Sequence, residues 1–308
     1  AACSGGTNAD DKNTDSSEDT YTIGVLYLDQ EVLLSEATAG CQAYAAEHSN
    51  VKLIEYNANK DVSTQLKQCE NLISQNVDAI ALTPVDGAGC DQIINACKDA
   101  GIPLICFHAK VNGAPITNIL FDNVGFGKMQ VDYAMEIFEK NGGDMNGTIN
   151  VGIVTGKLDN QNAVERCQGY EEQLKNYANA TIVDEQVGSW NRDDAMAIAE
   201  NWITSGRDID IILSNNDAMA IGISLAYANA NVERPIIIGV GGTEECLTAI
   251  LNGDFDGTVF QPAYQNGYDA IDFTVKYLNG ETLEESYVTE GVLVTPETAQ
   301  ATLDNLNA

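Results

Sequence analysis

The sequence predicts an α/β protein with two doubly wound parallel-sheet lobes joined by a three-strand hinge. Apolar segments with strand character alternate with helical segments from Tyr21 onward, which is typical of parallel sheets with right-handed crossovers. Ten such strand segments suit two sheets better than one. No helical pattern separates 103–108 from 116–121, and the segment from Asp122 to Gly127 then has the character of a passage between two domains.

The predicted elements alternate along most of the chain. The strand segments are 21–28, 51–57, 78–83, 103–108, 116–121, 148–155, 180–187, 209–214, 235–240 and 257–261. The helical segments are 33–48, 62–75, 90–100, 126–140, 163–177, 193–204, 217–229, 244–252 and 264–279. Because a helix returns the chain to the start of the next strand, the strands of one sheet run in the same direction.

If the second sheet lies inside the first in sequence, the chain crosses between the lobes three times. We place the later crossings near Gln261 and near Gly291. The predicted units are a tether at 1–20, an N-terminal lobe at 21–122 plus 262–290, and a C-terminal lobe at 123–261 plus 291–308. Two lobes connected in this way are able to close over a ligand.

The composition restricts the classes of function. The 308 residues include 15 Lys and Arg against 46 Asp and Glu, which gives a formal net charge of −31. Such a surface repels nucleic acid, whose binding requires cations on phosphates, so we predict no nucleic-acid partner. Hydrophobic residues make up 44%, as in a globular protein, and no run approaches the ~20 apolar residues of a membrane helix.

The eight cysteines do not follow a metal-binding pattern. No CxxC pair occurs and the chain has only two histidines, which argues against a zinc site. Cys41, Cys69, Cys97 and Cys106 lie in apolar patterns, which predicts small buried thiols. An oxidising compartment would allow some cysteines to pair, but their spacing does not say which.

The N-terminal residues predict a membrane anchor followed by a tether. Ala1-Ala2-Cys3-Ser4-Gly5 resembles the end of a bacterial lipoprotein signal, with Cys3 as the acylated residue. Residues 4–20 are polar and offer almost nothing to bury, as in a flexible tether. We therefore expect an extracytoplasmic protein held at the outer face of the membrane by a lipid on Cys3; the alternative is a disordered N-terminus with an unrelated cysteine.

One stretch, Ile209 to Gly222, places polar side chains where α/β sheets bind ligands. The apolar residues up to Leu213 predict a buried parallel strand, and Asp217 is placed to cap the helix that follows. Open α/β sheets bind ligands beyond the carboxyl ends of their strands. Taken alone, the same pattern also fits an ordinary capped turn between a strand and a helix.

Several motifs resemble those of the periplasmic sugar-binding proteins of ABC importers, the group with the type I periplasmic binding protein fold that includes the ribose- and glucose/galactose-binding proteins. The similarity runs from about Tyr21 to Gly280. Its motifs are Asn215-Asn216-Asp217-Ala218-Met219-Ala220, Asp122-Asn123 at a hinge, Trp190-Asn191-Arg192-Asp193, and Gly257-Thr258-Val259-Phe260-Gln261. Each motif is weak alone, and together they are specific.

The resemblance implies a set of sugar-binding residues in this chain. Trp190 matches an aromatic residue that covers the apolar face of the sugar, where the alternative is a core or surface tryptophan. Arg166 matches an arginine that donates to hydroxyls, where the alternative is a surface ion pair. Asn216 and Gln261 match amides that both donate and accept hydrogen bonds.

Further positions match less closely. Tyr27 and Glu31 fall where the glucose/galactose-binding protein has a tyrosine and a carboxylate, although Glu31 also suits a helix N-terminus. The remaining positions depart from the family. Leu33 replaces a stacking aromatic residue, His108 replaces Asp or Asn, and Gly241 replaces an Asp. Asn160 and Asn162 stand where the glucose/galactose-binding protein has His and Asp. Each lost acceptor weakens hexose binding by ~1 kcal/mol or more.

The resemblance implies a solute-binding protein that binds a monosaccharide or related polyol and delivers it, as a monomer, to an ABC transporter permease. The departures leave pentoses, deoxy or amino sugars, polyols and non-sugar ligands open. An alternative is a sensory module that presents its ligand to a membrane signalling protein. We predict no enzyme, because the chain has no Gly-rich phosphate loop after its first strand, no GxSxG motif and few histidines.

We predict no cofactor and no metal. Asp144-Met145-Asn146-Gly147 resembles part of a calcium loop in the glucose/galactose-binding protein but lacks the further oxygen ligands such a loop needs. We therefore interpret it as a turn.

Overall fold

The computed structural model describes residues 19–306 except Glu31, Ala88, Asn112 and Ala114, and it leaves the side chains of Val32 and Leu33 undescribed. The twelve strands of this part of the chain are β1 (Tyr21–Tyr27), β2 (Val51–Asn57), β3 (Ala79–Leu82), β4 (Leu104–Phe107), β5 (Thr117–Phe121), β6 (Ile149–Thr155), β7 (Ala180–Val187), β8 (Ile211–Ser214), β9 (Ile236–Gly241), β10 (Gly257–Phe260), β11 (Ser286–Thr289) and β12 (Val292–Val294).

Ten helices complete the described part of the chain. They are α1 (Val32–Glu47), α2 (Val62–Ser74), α3 (Asp91–Ala100), α4 (Asn123–Lys140), α5 (Gln161–Leu174), α6 (Arg192–Thr204), α7 (Asp217–Ala230), α8 (Glu244–Asn252), α9 (Ala263–Leu278) and α10 (Pro296–Leu306). None of these described helices is both long and apolar enough to cross a membrane.

The strands form two six-stranded sheets, one in each lobe. The first sheet has the order β11-β5-β4-β3-β1-β2 and the second has the order β12-β10-β9-β8-β6-β7. All pairings are parallel except that of β12, which runs antiparallel to β10 at one edge. The two lobes confirm the predicted fold class, and the antiparallel edge strand is the one departure from an all-parallel sheet.

Each sheet is covered by helices on both faces. In the first lobe, α1 and α9 pack on one face and α2 and α3 on the other; in the second lobe, α4 and α5 cover one face and α6, α7 and α8 the other. Buried strands such as β3, β4, β8 and β9 are apolar on both faces for this reason.

The three passages between the sheets meet at a small apolar cluster, which we call the hinge core. It consists of Phe121, Phe126, Val240 and Val259, with Met129 against it. The chain passes from β5 into α4, from β10 into α9, and from β11 into β12. A Cβ atom on Gly291, in the last passage, would lie 2.6 Å from the Phe126 ring and 2.7 Å from Val259. Only glycine fits there.

The structure corrects the predicted elements in five places. The last strands β11 and β12 and the helix α10 were not predicted, because they are short and mostly exposed and show no clear apolar period. Helix α4 begins at Asn123 rather than at 126, because the Asp122 side chain accepts a hydrogen bond from the Gly125 N–H at 2.8 Å. Helix α7 is capped by Asn216, not by Asp217.

The seven described cysteines are all free thiols, while Cys3 lies outside the described residues. Cys41, Cys69, Cys97 and Cys106 are buried, which confirms that part of the prediction. The segment 144–147 forms a turn in which the Gly147 N–H donates to the Asp144 carbonyl at 2.9 Å, as predicted.

Close packing of α4 on α5 depends on glycine. A Cβ atom on Gly127 would lie 2.3 Å from the Arg166 carbonyl oxygen and 3.0 Å from the Gly169 Cα, so Gly127→Ala must push the two helices apart. We expect this substitution to lower the free energy of unfolding by about 1–3 kcal/mol in urea titrations. Gly147→Ala is the matched control, since its nearest atom is a side-chain oxygen at 3.2 Å. Equal losses in both variants would contradict the packing argument.

Candidate functional site

Polar side chains gather at the carboxyl ends of strands from both sheets. His108 follows β4, Trp190 follows β7, Asn215 and Asn216 follow β8, and Gln261 follows β10. Since both sheets present these ends to the space between the lobes, the side chains lie where α/β sheets bind ligands. We call this group the cleft site.

Arg166 is the centre of the cleft site. It lies on α5 and is 3% exposed. Its Nε donates to Asn123 Oδ1 at 2.9 Å, its Nη2 donates to Gln261 Oε1 at 2.8 Å, and its Nη1 donates to the Asn215 carbonyl oxygen. These bonds use three of the five guanidinium N–H groups. The side chain is thus a buried donor and not the surface ion pair that the sequence left open.

Burial disfavours the charge on Arg166. Desolvation lowers the pKa of the guanidinium to about 10, an effect that is partly offset by Tyr170 and by the charge of Asp217. The guanidinium therefore remains positive at neutral pH. Described carboxylates form no ion pair with it, so its partners are the neutral oxygens of amides and a carbonyl.

Two aromatic rings lie against the guanidinium. Arg166 Cζ is 5.7 Å from the Phe126 ring centroid and 5.6 Å from the Trp190 ring. Phe126 belongs to the hinge core, where it lies 6.2 Å from Phe121. His108 contacts Phe121 edge-on at 5.5 Å. The hinge core therefore packs against two polar residues of the cleft site, Arg166 and His108.

Asn123 and Asn162 connect the two lobes. Asn123 Nδ2 donates to Asn162 Oδ1 at 3.1 Å, and Asn162 Nδ2 donates to the His108 carbonyl oxygen at 3.3 Å. Asn160 caps α5 by accepting a hydrogen bond from the Asn162 N–H at 2.9 Å. Because Asn123 also accepts from Arg166, a continuous chain of hydrogen bonds runs from the guanidinium to the first lobe.

His108 is held as a neutral ring. Burial lowers its pKa to about 4, and the positive charge of Arg166 acts in the same direction. Its Nδ1 atom is buried without a hydrogen-bond partner among the described residues. Its backbone has a φ of 71°, in the left-handed region. At neutral pH the ring offers one donor and one acceptor to whatever occupies the cleft.

Trp190 and Asn216 are tied to each other. Asn216 Nδ2 donates to the Trp190 carbonyl oxygen at 3.3 Å, and Asn216 Oδ1 accepts the Met219 N–H at 2.9 Å as the cap of α7. The indole lies on Gly156, where an added Cβ would be 2.2 Å from the ring. One Asn216 N–H and part of its oxygen remain for a ligand after these bonds.

A buried polar network behind Arg166 was not found by sequence reasoning. Gln130 Nε2 donates to the carbonyl oxygens of Ser214 and Ile238 at 2.9 and 3.0 Å, and its Oε1 accepts from the Tyr170 hydroxyl at 2.8 Å. Asn215 Nδ2 donates to the same hydroxyl at 3.1 Å. The network ties the end of β8 to the middle of β9, and only the Asn215-Asn216-Asp217 motif signalled any part of it.

Asp217 occupies the space that a side chain at position 241 would fill. A Cβ on Gly241 would lie 2.6 Å from Asp217 Oδ2 and 3.2 Å from its Cγ. The carboxylate accepts from the Thr258 hydroxyl at 2.7 Å and from the Gly242 N–H at 2.5 Å. Burial raises the pKa of Asp217. Burial and the charge of Asp217 also raise the pKa of Glu36, on the first lobe, to about 7.

Other predicted residues lie apart from this group or outside the described part. The Tyr27 ring packs in the first-lobe core with its hydroxyl donating to Glu55 at 2.8 Å, so the structure does not bring it to Arg166. Glu31 and the Leu33 side chain are not among the described positions, and neither is Cys3.

The unpaired atoms indicate what the site can bind. Gln261 is 1% exposed, yet its Nε2 has no described partner, and the same holds for His108 Nδ1. Together with the two remaining Arg166 N–H groups, they suit the oxygens of an uncharged, hydroxylated molecule. Within the described ranges, no three His, Cys, Asp or Glu side chains are grouped as metal ligands.

Comparisons with known proteins find similar chains over nearly the whole length of this one. A family model described as a periplasmic binding protein domain matches residues 25–282. A xylitol-binding protein of Mycolicibacterium smegmatis is 29% identical over 294 residues, which cover 95% of this chain and 81% of that protein. A galactofuranose-binding protein of Escherichia coli is 26% identical over 295 residues, covering 92% and 90% of the two chains.

A solved structure is also similar. The solute-binding protein of an ABC transporter from Bacillus halodurans, crystallised with bound myo-inositol, superposes with a TM-score of 0.84. It is 29% identical in sequence, and the match covers 94% of this chain and 99% of that one.

The low pKa of His108 makes stability depend on pH. The unfolded histidine binds a proton below about pH 6.5, whereas the folded one stays neutral down to about pH 4, so stability falls as the pH falls through this window. In urea titrations without ligand, we expect the free energy of unfolding of the wild type to fall between pH 7 and pH 5. This fall should be about 2 kcal/mol larger than that of His108→Asn. Asparagine tolerates the left-handed backbone at this position.

The second histidine provides the control for this measurement. His48 stacks on Tyr44 in the first lobe, away from the cleft site. The pH slope of His48→Asn is measured beside those of the wild type and His108→Asn. If His108→Asn shows the same pH slope as the wild type, His108 is not held neutral.

Proposed function

This chain belongs to the periplasmic binding protein domain family, and on that premise we propose that it binds an uncharged polyol or monosaccharide reversibly in the cleft between its lobes and delivers it to an ABC transporter permease. The family consists of binding proteins and implies an extracytoplasmic location. Its relatives bind xylitol, galactofuranose and myo-inositol. The ligand leaves chemically unchanged.

The observation that carries the proposal is the set of unsatisfied polar nitrogen atoms around Arg166. A buried amide or imidazole nitrogen without a partner costs about 1–3 kcal/mol. The Gln261 Nε2 and His108 Nδ1 atoms are in this condition, and ligand hydroxyls would satisfy both. Trp190 supplies an aromatic surface next to the same guanidinium. Vicinal hydroxyls on an apolar carbon skeleton combine both requirements.

The charge of the site favours a neutral ligand of this kind. His108 is neutral, and Arg166 is balanced at longer range by Asp217 rather than by a direct ion pair. With aspartate absent at positions 108 and 241, the ligand oxygens act mainly as acceptors toward Arg166 and Gln261. This pattern suits a pentose, which has one hydroxyl fewer than a hexose and so needs fewer acceptors from the protein.

Binding is proposed to close the lobes about the hinge core. The moving units are 21–122 plus 262–290 and 123–261 plus 291–308. The bond from Asn162 to the His108 carbonyl crosses between them, so an open form must break it. A ligand that contacts both His108 and Arg166 offsets this cost and stabilises the closed form.

We further propose that the protein acts as a monomer, anchored by a lipid on Cys3 and connected to its lobes by the polar segment 4–20. A tether of this length lets the closed protein reach a permease in the same membrane.

Ligand class is tested by a thermal-shift screen of xylitol, myo-inositol, ribose, galactose and glycerol. We expect the melting temperature to rise with the logarithm of the concentration for at least one compound. If none of these shifts melting while a charged or nitrogenous compound does, the proposed ligand class is wrong and the binding role stands.

The contribution of the aromatic surface is measured by isothermal titration of the best compound. Trp190→Ala should weaken binding by about 1–3 kcal/mol, because the apolar face of the ligand loses its cover. Trp202→Phe is the control, since Trp202 lies in the second-lobe core and donates to Asp184 at 2.8 Å. Unchanged affinity in Trp190→Ala would remove the residue from the site.

Acylation at Cys3 is tested by incorporation of a labelled fatty acid when the chain is expressed behind a bacterial lipoprotein signal sequence. Wild-type protein should carry the label in the membrane fraction, and Cys3→Ser should not. Equal labelling of both would place any lipid elsewhere.

A further inference from the structure

Two buried cysteines on neighbouring helices lie in direct contact. Cys69 on α2 and Cys97 on α3 are 0% and 1% exposed, and their sulfur atoms are 3.6 Å apart. Among the seven cysteines the structure describes, only this pair brings its sulfurs into hydrogen-bond contact. In a disulfide the sulfurs lie about 2.05 Å apart, so they need to approach by only about 1.5 Å.

The other thiols nearby have different partners. Cys90 donates to the Asp86 carbonyl oxygen at 3.0 Å, although it belongs to the same apolar cluster. Cys41 lies on the opposite face of the sheet and donates to the Gly267 carbonyl oxygen at 3.2 Å. The spacing in the sequence left every pairing open, and the packing of α2 on α3 now selects one.

We propose that Cys69 and Cys97 form a disulfide that joins α2 to α3 when the chain folds outside the cytoplasm. An extracytoplasmic location permits such bonds. The oxidant is a dithiol-oxidising protein or small-molecule disulfide. One cysteine thiolate attacks it and releases the first thiol; the second cysteine then attacks the mixed disulfide and releases the other. Two protons and two electrons leave the protein, and the external disulfide becomes two thiols.

The thiol–disulfide exchange takes place while the chain is folding and not in the native state. The contact with Cys97, together with burial, raises the pKa of Cys69 well above its usual value, so Cys69 rarely forms a thiolate in the native fold. In the partly folded chain the thiols are accessible and have ordinary reactivity. Once formed, the bond is enclosed by the apolar cluster and protected from reductants.

The disulfide would restrict the motion of the segment 83–87 at one edge of the cleft. Between the two cysteines, the chain includes β3 and the segment 83–87 that follows its carboxyl end. Gln65 of α2 already fixes this segment, because its Nε2 donates to the Thr83 carbonyl oxygen at 2.9 Å and its Oε1 accepts from the Val85 N–H at 3.0 Å. Joining α2 to α3 closes the remaining side of this loop.

The experiment is oxidative refolding of the full chain. Denatured, reduced protein is refolded in a glutathione buffer rich in the oxidised form, blocked with iodoacetamide and digested. Trypsin releases residues 68–98, and glutamate-specific cleavage after Glu70 then separates Cys69 from Cys97. We expect the short peptide with Cys69 to remain linked to the longer one until a reductant is added. Tandem mass spectrometry locates the bond at Cys97.

The controls use the neighbouring thiol. Cys90→Ala should retain the disulfide and Cys97→Ala should lose it. The oxidised wild type should melt about 5 °C above its reduced form, because the disulfide closes a 29-residue loop. Alkylation of both Cys69 and Cys97 after oxidative refolding would overturn the proposal, as would a bond from Cys69 to Cys90. Since the decisive peptide comes from the wild type, the result does not depend on the folding of any variant.

Discussion

The structure depends on the burial of one positive charge between two lobes. Arg166 is fixed by oxygens from Asn123, Asn215 and Gln261, which lie at the start of α4 and beyond the ends of β8 and β10. A buried cation with only neutral partners is costly unless each N–H is directed at an oxygen. The hinge passages near Asn123 and Gln261 are therefore held in one arrangement, and these bonds use three of the five guanidinium N–H groups.

The missing family carboxylates give the cleft a distinct chemistry. His108 and Gly241 stand where the resemblance implies acidic acceptors, and the Asp217 carboxylate lies in the space beside Gly241 instead. Its oxygens are occupied by Thr258 and Gly242, so it balances the charge of Arg166 without offering free acceptors of its own. The cleft site thus donates more than it accepts, although the protein as a whole carries a net charge of −31.

Particular residues show how much of the candidate site could be predicted from the sequence. Arg166, His108, Trp190 and Gln261 were identified through motifs. The structure brings them to one place because each follows a parallel strand or lies in the first two turns of a helix beside one. Tyr27 matched a tyrosine of the glucose/galactose-binding protein, but its side chain points into the first-lobe core. Strand alternation and the hydrogen bond to the Glu55 carboxylate set this direction. Gln130 and Tyr170 carry no local signal; their roles arise from contacts across α4 and α5.

The sequence by itself determined the strand–helix alternation, the two lobes and the identity of the polar residues at the strand ends, because apolar period and turn chemistry are local properties of the chain. Only the tertiary structure decided the hydrogen-bond partners of Arg166, the neutral state of His108 and the contact of Cys69 with Cys97. These depend on groups between 28 and 95 positions apart in the chain, as in the Cys69–Cys97 and Arg166–Gln261 contacts, and on burial, which exists only when the helices and sheets have packed.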